Sequence, residues 1–268
     1  MEKTGKSRTL IAHIERGSTF DGPGVRTVIF LKGCPLLCRW CHNPECISYE
    51  PETMYYPEKC IGCGRCEDGC YSGARVICGK EIGIPGLVAL AKRDAIFYGN
   101  NGGVTVSGGE PLSHPDFTFE LVRALKDAGL NVGIESSLYR FDRDVLSSVD
   151  IIMADLKIYD DALHREYTGI GNSAIKENIK KADTLGIPMI IRTPVIAGVN
   201  DGEDEIPAIS EFARSLKNAV KYELLPYHPM GISKAKAIGK EQERFSAPDG
   251  NRMNLLSRYS FERSERYE

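Results

Sequence analysis

The chain has 268 residues, 42% apolar and 26% charged, which is the balance of a folded protein with one large or two small domains. Lys and Arg (34) nearly match Asp and Glu (37), and the net charge of −3 gives no electrostatic reason to expect a nucleic acid or an anionic membrane as partner. No run approaches the roughly 20 apolar residues of a membrane helix, and the start MEKTGKSRTLIAHIERG lacks the apolar core of a secretory signal, so a cytoplasmic location is expected.

In chain order, the first strand is expected over 25–31, a β-rich run ending at a cysteine-rich loop. Residues 44–86 are rich in Cys, Gly and Pro, hold no sustained period and read as an inserted module. So small a module has too little apolar surface for a core of its own, so cross-links or metal must order it. A helix over 87–98 follows, then strands over 103–107, 130–136, 150–156, 187–193 and 220–226. Helical spacing fills 116–128, 173–185 and 203–217, with Gly129 and Gly186 as stops. Such alternation implies parallel strands with helical crossovers, an α/β chain forming a partial (β/α)6 TIM-like barrel with a small cysteine-rich insert. Residues 1–50 and 81–240 are assigned to the barrel, 51–80 to the insert and 241–268 to a charged tail. A short helix or a loose segment is expected in that tail, because 245–268 lacks the apolar period of a packing helix.

Nine cysteines are an odd count for a disulfide framework, and eight lie between Cys34 and Cys70, with Cys78 just beyond. Metal or redox chemistry is the better reading. Cys34, Cys38 and Cys41 form a C-x3-C-x2-C triplet directly after the first strand. Three thiolates can cap three corners of a four-iron cubane and leave one iron open to a small-molecule ligand. A structural zinc knuckle or plain buried thiols are the competing readings.

The stretches Asp21-Gly-Pro-Gly-Val-Arg26, Phe30-Leu-Lys-Gly-Cys34-Pro and Trp40-Cys41-His42-Asn43-Pro44-Glu45 together resemble the signature of the glycyl-radical-enzyme activating enzymes, of the radical S-adenosylmethionine (SAM) superfamily. The likeness runs from about His13 to about Gly239. It implies that Cys34, Cys38 and Cys41 bind a [4Fe-4S] cluster whose open iron takes the amino and carboxylate groups of SAM, with Trp40 and His42 beside it. It also implies that Gly108 and Gly109 meet the methionyl amino group, in Ser107-Gly108-Gly109-Glu110-Pro111 after the second strand. Adjacent glycines there permit close backbone approach, and Glu110 adds a charge or a structural hydrogen bond; by itself the pair could be only a turn. In Asp155-Leu156-Lys157, residues two apart share a strand face, so acid and lysine point into the barrel mouth. A plain surface ion pair is the alternative. The resemblance assigns Lys157 to the cofactor carboxylate and places Asp155 near a monovalent cation.

Glu135 matches the family's acidic position, although Ser137-Leu138 stands where an Asn-Gly or Ser-Gly pair is usual. His228, in Leu224-Leu225-Pro226-Tyr227-His228, is implied to approach the ribose or adenine side of SAM. Arg192-Thr193-Pro194-Val195 and Gly198-Val199-Asn200-Asp201 also fit the family, with no role assigned. The proposed ligands follow the first, second, third, fourth and sixth strands at their carboxyl ends, where barrel enzymes build their sites.

In the insert, Cys60, Cys63, Cys66 and Cys70 form a C-x2-C-x2-C-x3-C run like that of bacterial ferredoxins, with zinc as the competing ligand. Ferredoxin-type inserts of the family usually carry two such runs. Here there is one, with Tyr71 where proline is usual, so one auxiliary [4Fe-4S] cluster is expected. Cys70 is the first choice for its fourth ligand, and Cys46 or Cys78 are the alternatives. Cys46 stands where the family commonly has a small residue.

The implied function is reductive cleavage of SAM to methionine and a 5′-deoxyadenosyl radical, which takes hydrogen from a glycine of a partner glycyl-radical enzyme. No general acid or base is assigned, because hydrogen-atom abstraction needs none. Asp21 and its DGPG loop are expected to line the substrate entrance, a flavodoxin or ferredoxin to supply electrons, and the chain to be a monomer. A radical SAM enzyme for a small molecule is one alternative. An iron-sulfur electron carrier or zinc scaffold is another, but it would need neither the Gly-Gly-Glu nor the Asp-x-Lys element at strand ends.

Overall fold

The computed structural model describes residues 9–66 and 69–263. The chain begins with β1 (Leu10–Ser18) and β2 (Arg26–Leu31), which pair antiparallel. After the cysteine loop come β3 (Glu52–Tyr55), β4 (Arg75–Cys78), β5 (Lys80–Glu81) and α1 (Ile84–Asp94). The regular alternation then runs β6 (Gly103–Gly108), α2 (Pro115–Asp127), β7 (Val132–Ser136), α3 (Arg143–Leu146) and β8 (Ile151–Asp155). It continues through α4 (Asp161–Thr168), α5 (Ser173–Asp183), β9 (Met189–Val195), α6 (Glu205–Ser215) and β10 (Ala219–Pro226). The chain closes with α7 (Met230–Ala237), α8 (Gly250–Ser257) and β11 (Phe261–Glu262).

Strands β2, β6, β7, β8, β9 and β10 lie side by side in chain order and are parallel throughout. This is the expected six-stranded α/β core, with all six carboxyl ends on one rim. β2 is buried along its whole length, and its apolar run continues into β6 to β9, as strands covered on both faces require. Helices cover one face by apolar residues at helical spacing. Phe117, Leu121, Val122 and Leu125 of α2 and Ile175, Ile179 and Ala182 of α5 join the main core with Ile29, Leu31, Val106, Ile134 and Ile191.

Three antiparallel strands extend the sheet beyond the expected six: β1 and β5 on the β2 side and β11 on the β10 edge. A register shift between Ile11 and His13 spoils the alternation by which β1 would be recognised. In the tail, α8 buries only Leu256 and is capped by Asp249, which accepts from Arg252 N at 2.8 Å. Ser210 Oγ donates to Tyr259 O at 2.6 Å, and Arg263 N to Val220 O at 2.8 Å. Up to Arg263 the tail is therefore docked, through single anchors that leave no periodic signature. Among the described residues no helix is long and apolar enough to cross a membrane.

β3 and β4 form a separate two-stranded sheet. Met54 and Cys78 pack it against Ala237 of α7. Lys32, 1% exposed at the end of β2, donates to Glu45 O at 2.6 Å and Glu52 Oε2 at 2.9 Å. Lys240 reaches the other Glu52 oxygen at 2.9 Å, so hairpin, cysteine loop and tail share one ion-pair knot.

Candidate active site

The loop that carries Cys34, Cys38 and Cys41 leaves the carboxyl end of β2 and is held by backbone hydrogen bonds from several directions. Gly33 N donates to Cys46 O at 2.8 Å and Cys34 N to Ile47 O at 3.0 Å, which folds the loop back on itself. Leu37 N donates to Thr168 O at 2.8 Å and Arg39 N to Tyr167 O at 3.0 Å, which ties it to the end of α4. From the tail, Gln242 Nε2 donates to Cys41 O at 2.7 Å. Burial pushes all three thiols up, Cys41 to about 12. A cationic group would reverse that preference by binding the thiolates. Among the described residues, one other trio of ligand atoms (His13, Glu45, Cys46) lies within 4.8 Å of one another; these three thiols are not so gathered. Three soft donors on one short loop suit three corners of a multi-iron cluster.

The second rim element packs directly beneath this loop. Gly109 N donates to Leu31 O at 2.8 Å and Glu110 N to Gly33 O at 2.9 Å. A Cβ at Gly109 would lie 2.4 Å from Gly33 O and 2.5 Å from Cys46 O, so only glycine lets the two loops meet. Glu110 is 1% exposed and turns inward. Its carboxylate accepts from Leu112 N (3.1 Å), Ser136 Oγ (2.7 Å), Ser137 N (2.9 Å) and Ser137 Oγ (2.6 Å), and so joins the loops after β6 and β7.

Next to those serines, Leu138 is fully buried with φ 54, the left-handed region, and its carbonyl accepts from Asn178 Nδ2 at 3.0 Å. The irregularity flagged in the sequence is thus resolved by strain offset by burial. Leu138→Ala is expected to lower stability by about 3 kcal/mol through the cavity it leaves. Leu138→Gly should cost roughly 1 kcal/mol less than that, because glycine relieves the left-handed strain. Urea unfolding of the two variants reads the order, and a less stable glycine variant would contradict this account.

Glu135, Asp155, Arg192 and Glu223 meet at the rim of β7 to β10. Asp155 is in register with Arg192 and Arg192 with Glu223 across three parallel strands. Arg192, 3% exposed, donates to Glu135 Oε1 at 2.9 Å, to Glu223 Oε2 at 3.0 Å and to Phe20 O of the loop before β2. Ser107 Oγ satisfies the other Glu135 oxygen at 2.7 Å. Burial raises the Glu135 pKa despite Arg192, with Asp155 and Asp21 adding to the rise. Lys157 Nζ lies 2.6 Å from Asp155 Oδ2. Burial disfavours its charge, but Asp155, and the Cys38 and Cys34 sulfurs once deprotonated, outweigh burial and raise its pKa. The ammonium thus stands charged beside the cysteine loop. Asn200, fully buried, donates to Lys157 O (2.8 Å) and Pro194 O (2.7 Å) and accepts from Ile196 N (2.8 Å), which gives the Gly198-Val199-Asn200-Asp201 turn its role.

Trp40 is 5% exposed and packs with Ile158, Ile196 and Tyr227, with Tyr167 and Phe245 against the same cluster. Leu156 is likewise buried, with its N–H on Arg192 O at 3.0 Å. Leu156 alternates with Asp155, so its side chain turns to the helix-covered face and joins the main core with Ile175 and Ile179 of α5, not the site. His42 and His228 are exposed at the open side, close enough that His228 helps to lower the His42 pKa, after burial and Lys234.

Residues 28–212 match the family model of the Radical SAM superfamily. The chain belongs to that superfamily. It is 35% identical over 276 residues to the isethionate sulfite-lyase activating enzyme of Nitratidesulfovibrio vulgaris, covering 88% of this chain and 89% of the relative. It is 36% identical over 271 residues to the benzylsuccinate synthase activating enzyme of Thauera aromatica, covering 86% and 82%. A solved domain of a pyruvate-formate lyase-activating enzyme from Bacteroides vulgatus aligns with 59% of this chain and 92% of its own, at TM-score 0.50 and 26% identity. Within the radical SAM superfamily the chain therefore sides with the activating enzymes of glycyl-radical enzymes, which act on a partner protein, and a small-molecule substrate is not favoured. Radical SAM enzymes use a [4Fe-4S] cluster and SAM.

In this radical SAM chain the insert cysteines gather apart from the rim. Cys60, Cys63, Cys66 and Cys70 line a cavity of about 490 Å³ with Tyr55 and Arg75. Cys60, Cys63 and Cys66 are exposed, whereas Cys46 and Cys78 are buried elsewhere, against Val28 and Phe30 and against Met54. The hydroxyl of Ser72, then backbone N–H groups, hold the Cys70 thiol down to about 7. Sequence reading had singled out neither Gln242 nor the Ser136 and Ser137 hydroxyls, since their partners are remote in the chain and no local pattern marks them.

Proposed function

We propose that this chain activates a partner glycyl-radical enzyme, with its cluster held by Cys34, Cys38 and Cys41 and SAM seated on the rim around them. The cluster, when bound, supplies the electron that cleaves SAM to methionine and a 5′-deoxyadenosyl radical, which removes hydrogen from a glycine of the partner. Lys157 offers a charged ammonium for the methionyl carboxylate. Gly108 and Gly109 leave room for the methionyl amino group, and Glu110 orients their loop from behind. Glu135 and Asp155, with Arg192 between the strands, offer hydroxyl- and amine-binding oxygens and a place for a monovalent cation. Trp40 excludes water from beneath, and His42 and His228 close the nucleoside side. Asp21 and the exposed Phe20 (83% exposed) flank the opening through which a glycine loop enters.

The observation that carries this reading is the packing of the Cys34–Cys41 loop on the Gly109–Glu110 turn, within the Coulombic reach of Lys157. In the insert, the cavity shared by four cysteines supports one auxiliary [4Fe-4S] cluster with Cys70 as fourth ligand. The reading further takes the chain as a cytoplasmic monomer reduced by a flavodoxin or a ferredoxin. Its support is the near-neutral charge and the exposure of the insert thiols to a docking donor.

Anaerobic reconstitution tests it by iron and sulfide counting followed by reduction with SAM. About eight irons per chain and release of 5′-deoxyadenosine are expected, by four irons per cubane. Cys38→Ala should remove about four irons and the release together, and Cys70→Ser should remove about four irons while the release persists. Absence of 5′-deoxyadenosine from the fully loaded protein would overturn the function, and no organic radical on the partner would overturn the activase role.

A further inference from the structure

One cluster of side chains has no part in the reaction described above. His13 on β1, with Glu45 and Cys46 beyond the third loop cysteine, brings three ligand atoms within 4.8 Å of one another. Cys46 is fully buried and Glu45 is 3% exposed. Glu45 Oε1 lies 3.2 Å from Lys234 Nζ and 4.0 Å from His13 Nδ1. Glu45 Oε2 is buried with no hydrogen-bond partner among the described residues. Leaving a carboxylate oxygen so is costly, and the surroundings offer it nothing: Val28 and Phe30 pack on Cys46, and the His13 ring stacks on Phe30 at 4.0 Å and 15°.

We infer that His13, Glu45 and Cys46 form a mononuclear site for zinc or a similar borderline divalent cation, separate from both iron-sulfur sites. An imidazole nitrogen, a carboxylate oxygen and a thiolate sulfur make the mixed donor set that zinc accepts. Calcium and magnesium select oxygen alone, and an iron-sulfur cluster selects sulfur. Water completes the tetrahedron, since zinc sites with three protein ligands keep a fourth position open. Binding displaces the Cys46 thiol proton to solvent. Lys234, which now neutralises Glu45, donates also to Asn43 Oδ1 at 2.5 Å, and its side chain is 21% exposed. Its ammonium has a path to solvent when the cation takes its place. The ion would fasten β1 to the base of the cysteine loop, at the point where the loop returns to the sheet.

The test uses the holoprotein, reconstituted with iron and sulfide, given one equivalent of zinc and desalted. Roughly one zinc per chain should remain, with a K-edge absorption shell of one sulfur near ~2.3 Å and nitrogen or oxygen near ~2.0 Å. His13→Asn and Cys46→Ser should each weaken retention by on the order of 100-fold at unchanged iron content, the upper end of what loss of even an outer-shell partner costs. Lys234→Met should tighten it roughly tenfold by removing the competing charge. His13 is only partly buried, so His13→Asn remains informative if the buried Cys46→Ser fails to fold. Loss of all zinc on desalting, a four-sulfur shell pointing to the insert, or retention indifferent to these variants would each overturn the site. Missing iron would instead count against the radical reading, and zinc retention is read independently of it.

Discussion

Arg192→Met is expected to lower stability by about 3–5 kcal/mol, as breaking a buried ion pair from one side does, and to remove measurable SAM binding. The guanidinium is the shared donor of Glu135, Glu223 and the Phe20 carbonyl, so its loss leaves the largely buried Glu135 without a cation and Glu223 with Lys221 alone. Arg192→Lys should restore only part of the loss, because an ammonium cannot reproduce a planar fork aimed at three acceptors. The pH dependence adds a sign. Burial already places the Glu135 pKa above its ordinary value, and removing Arg192 raises it further. A raised acid contributes stability that is present below its unfolded pKa and lost as pH rises through its folded pKa. The variant should therefore be least impaired in mild acid and worsen toward neutrality. Denaturant unfolding across that range measures it, and a deficit independent of pH would rule out carboxylate repulsion as the cause.

Glu110→Ala is expected to cost about 3–5 kcal/mol, since it strands two backbone N–H groups and two hydroxyls that are buried around one carboxylate. Glu110→Gln should cost about 1–2 kcal/mol, because the amide oxygen keeps one N–H and one hydroxyl, the other hydroxyl can turn to accept from its NH2, and a single backbone N–H is left unpaired. Calorimetry with SAM supplies the functional readout. Affinity should fall with the loosening of the Gly108–Pro111 turn, steeply in Glu110→Ala and modestly in Glu110→Gln. Equal affinity in all three proteins would mean that Glu110 does not position the turn.

These two residues show where reading the sequence succeeds and where it stops. Glu110 was found because Gly-Gly-Glu-Pro sits at a strand end, and the six parallel strands were found because β-rich runs alternate with helical spacing. Its role as a tie between two loops depends on Ser136 and Ser137, which lie 26 and 27 residues away, so no local pattern announces it. Arg192 stood in a motif without a role, because its meaning arises only when three strands come into register. β1 went unseen for a different reason: a bulge beside His13 breaks the two-residue period on which strand detection rests. The tail was left open because scattered single anchors dock it, among them Phe245 on Trp40, Gln242 on Cys41 and Tyr259 on Ser210, and isolated anchors have no period to detect.

The hydrogen bond from Gln242 to the Cys41 carbonyl spans 201 residues of chain. Contacts of such sequence separation close late, because the loop entropy must be lost before they contribute. The cysteine loop is thus a structure of high contact order despite its compact motif. A ribosome-bound chain that has already exposed every cysteine through Cys78 still lacks the residue that braces Cys41, so the mature geometry of the cofactor loop becomes available only once Gln242 has emerged.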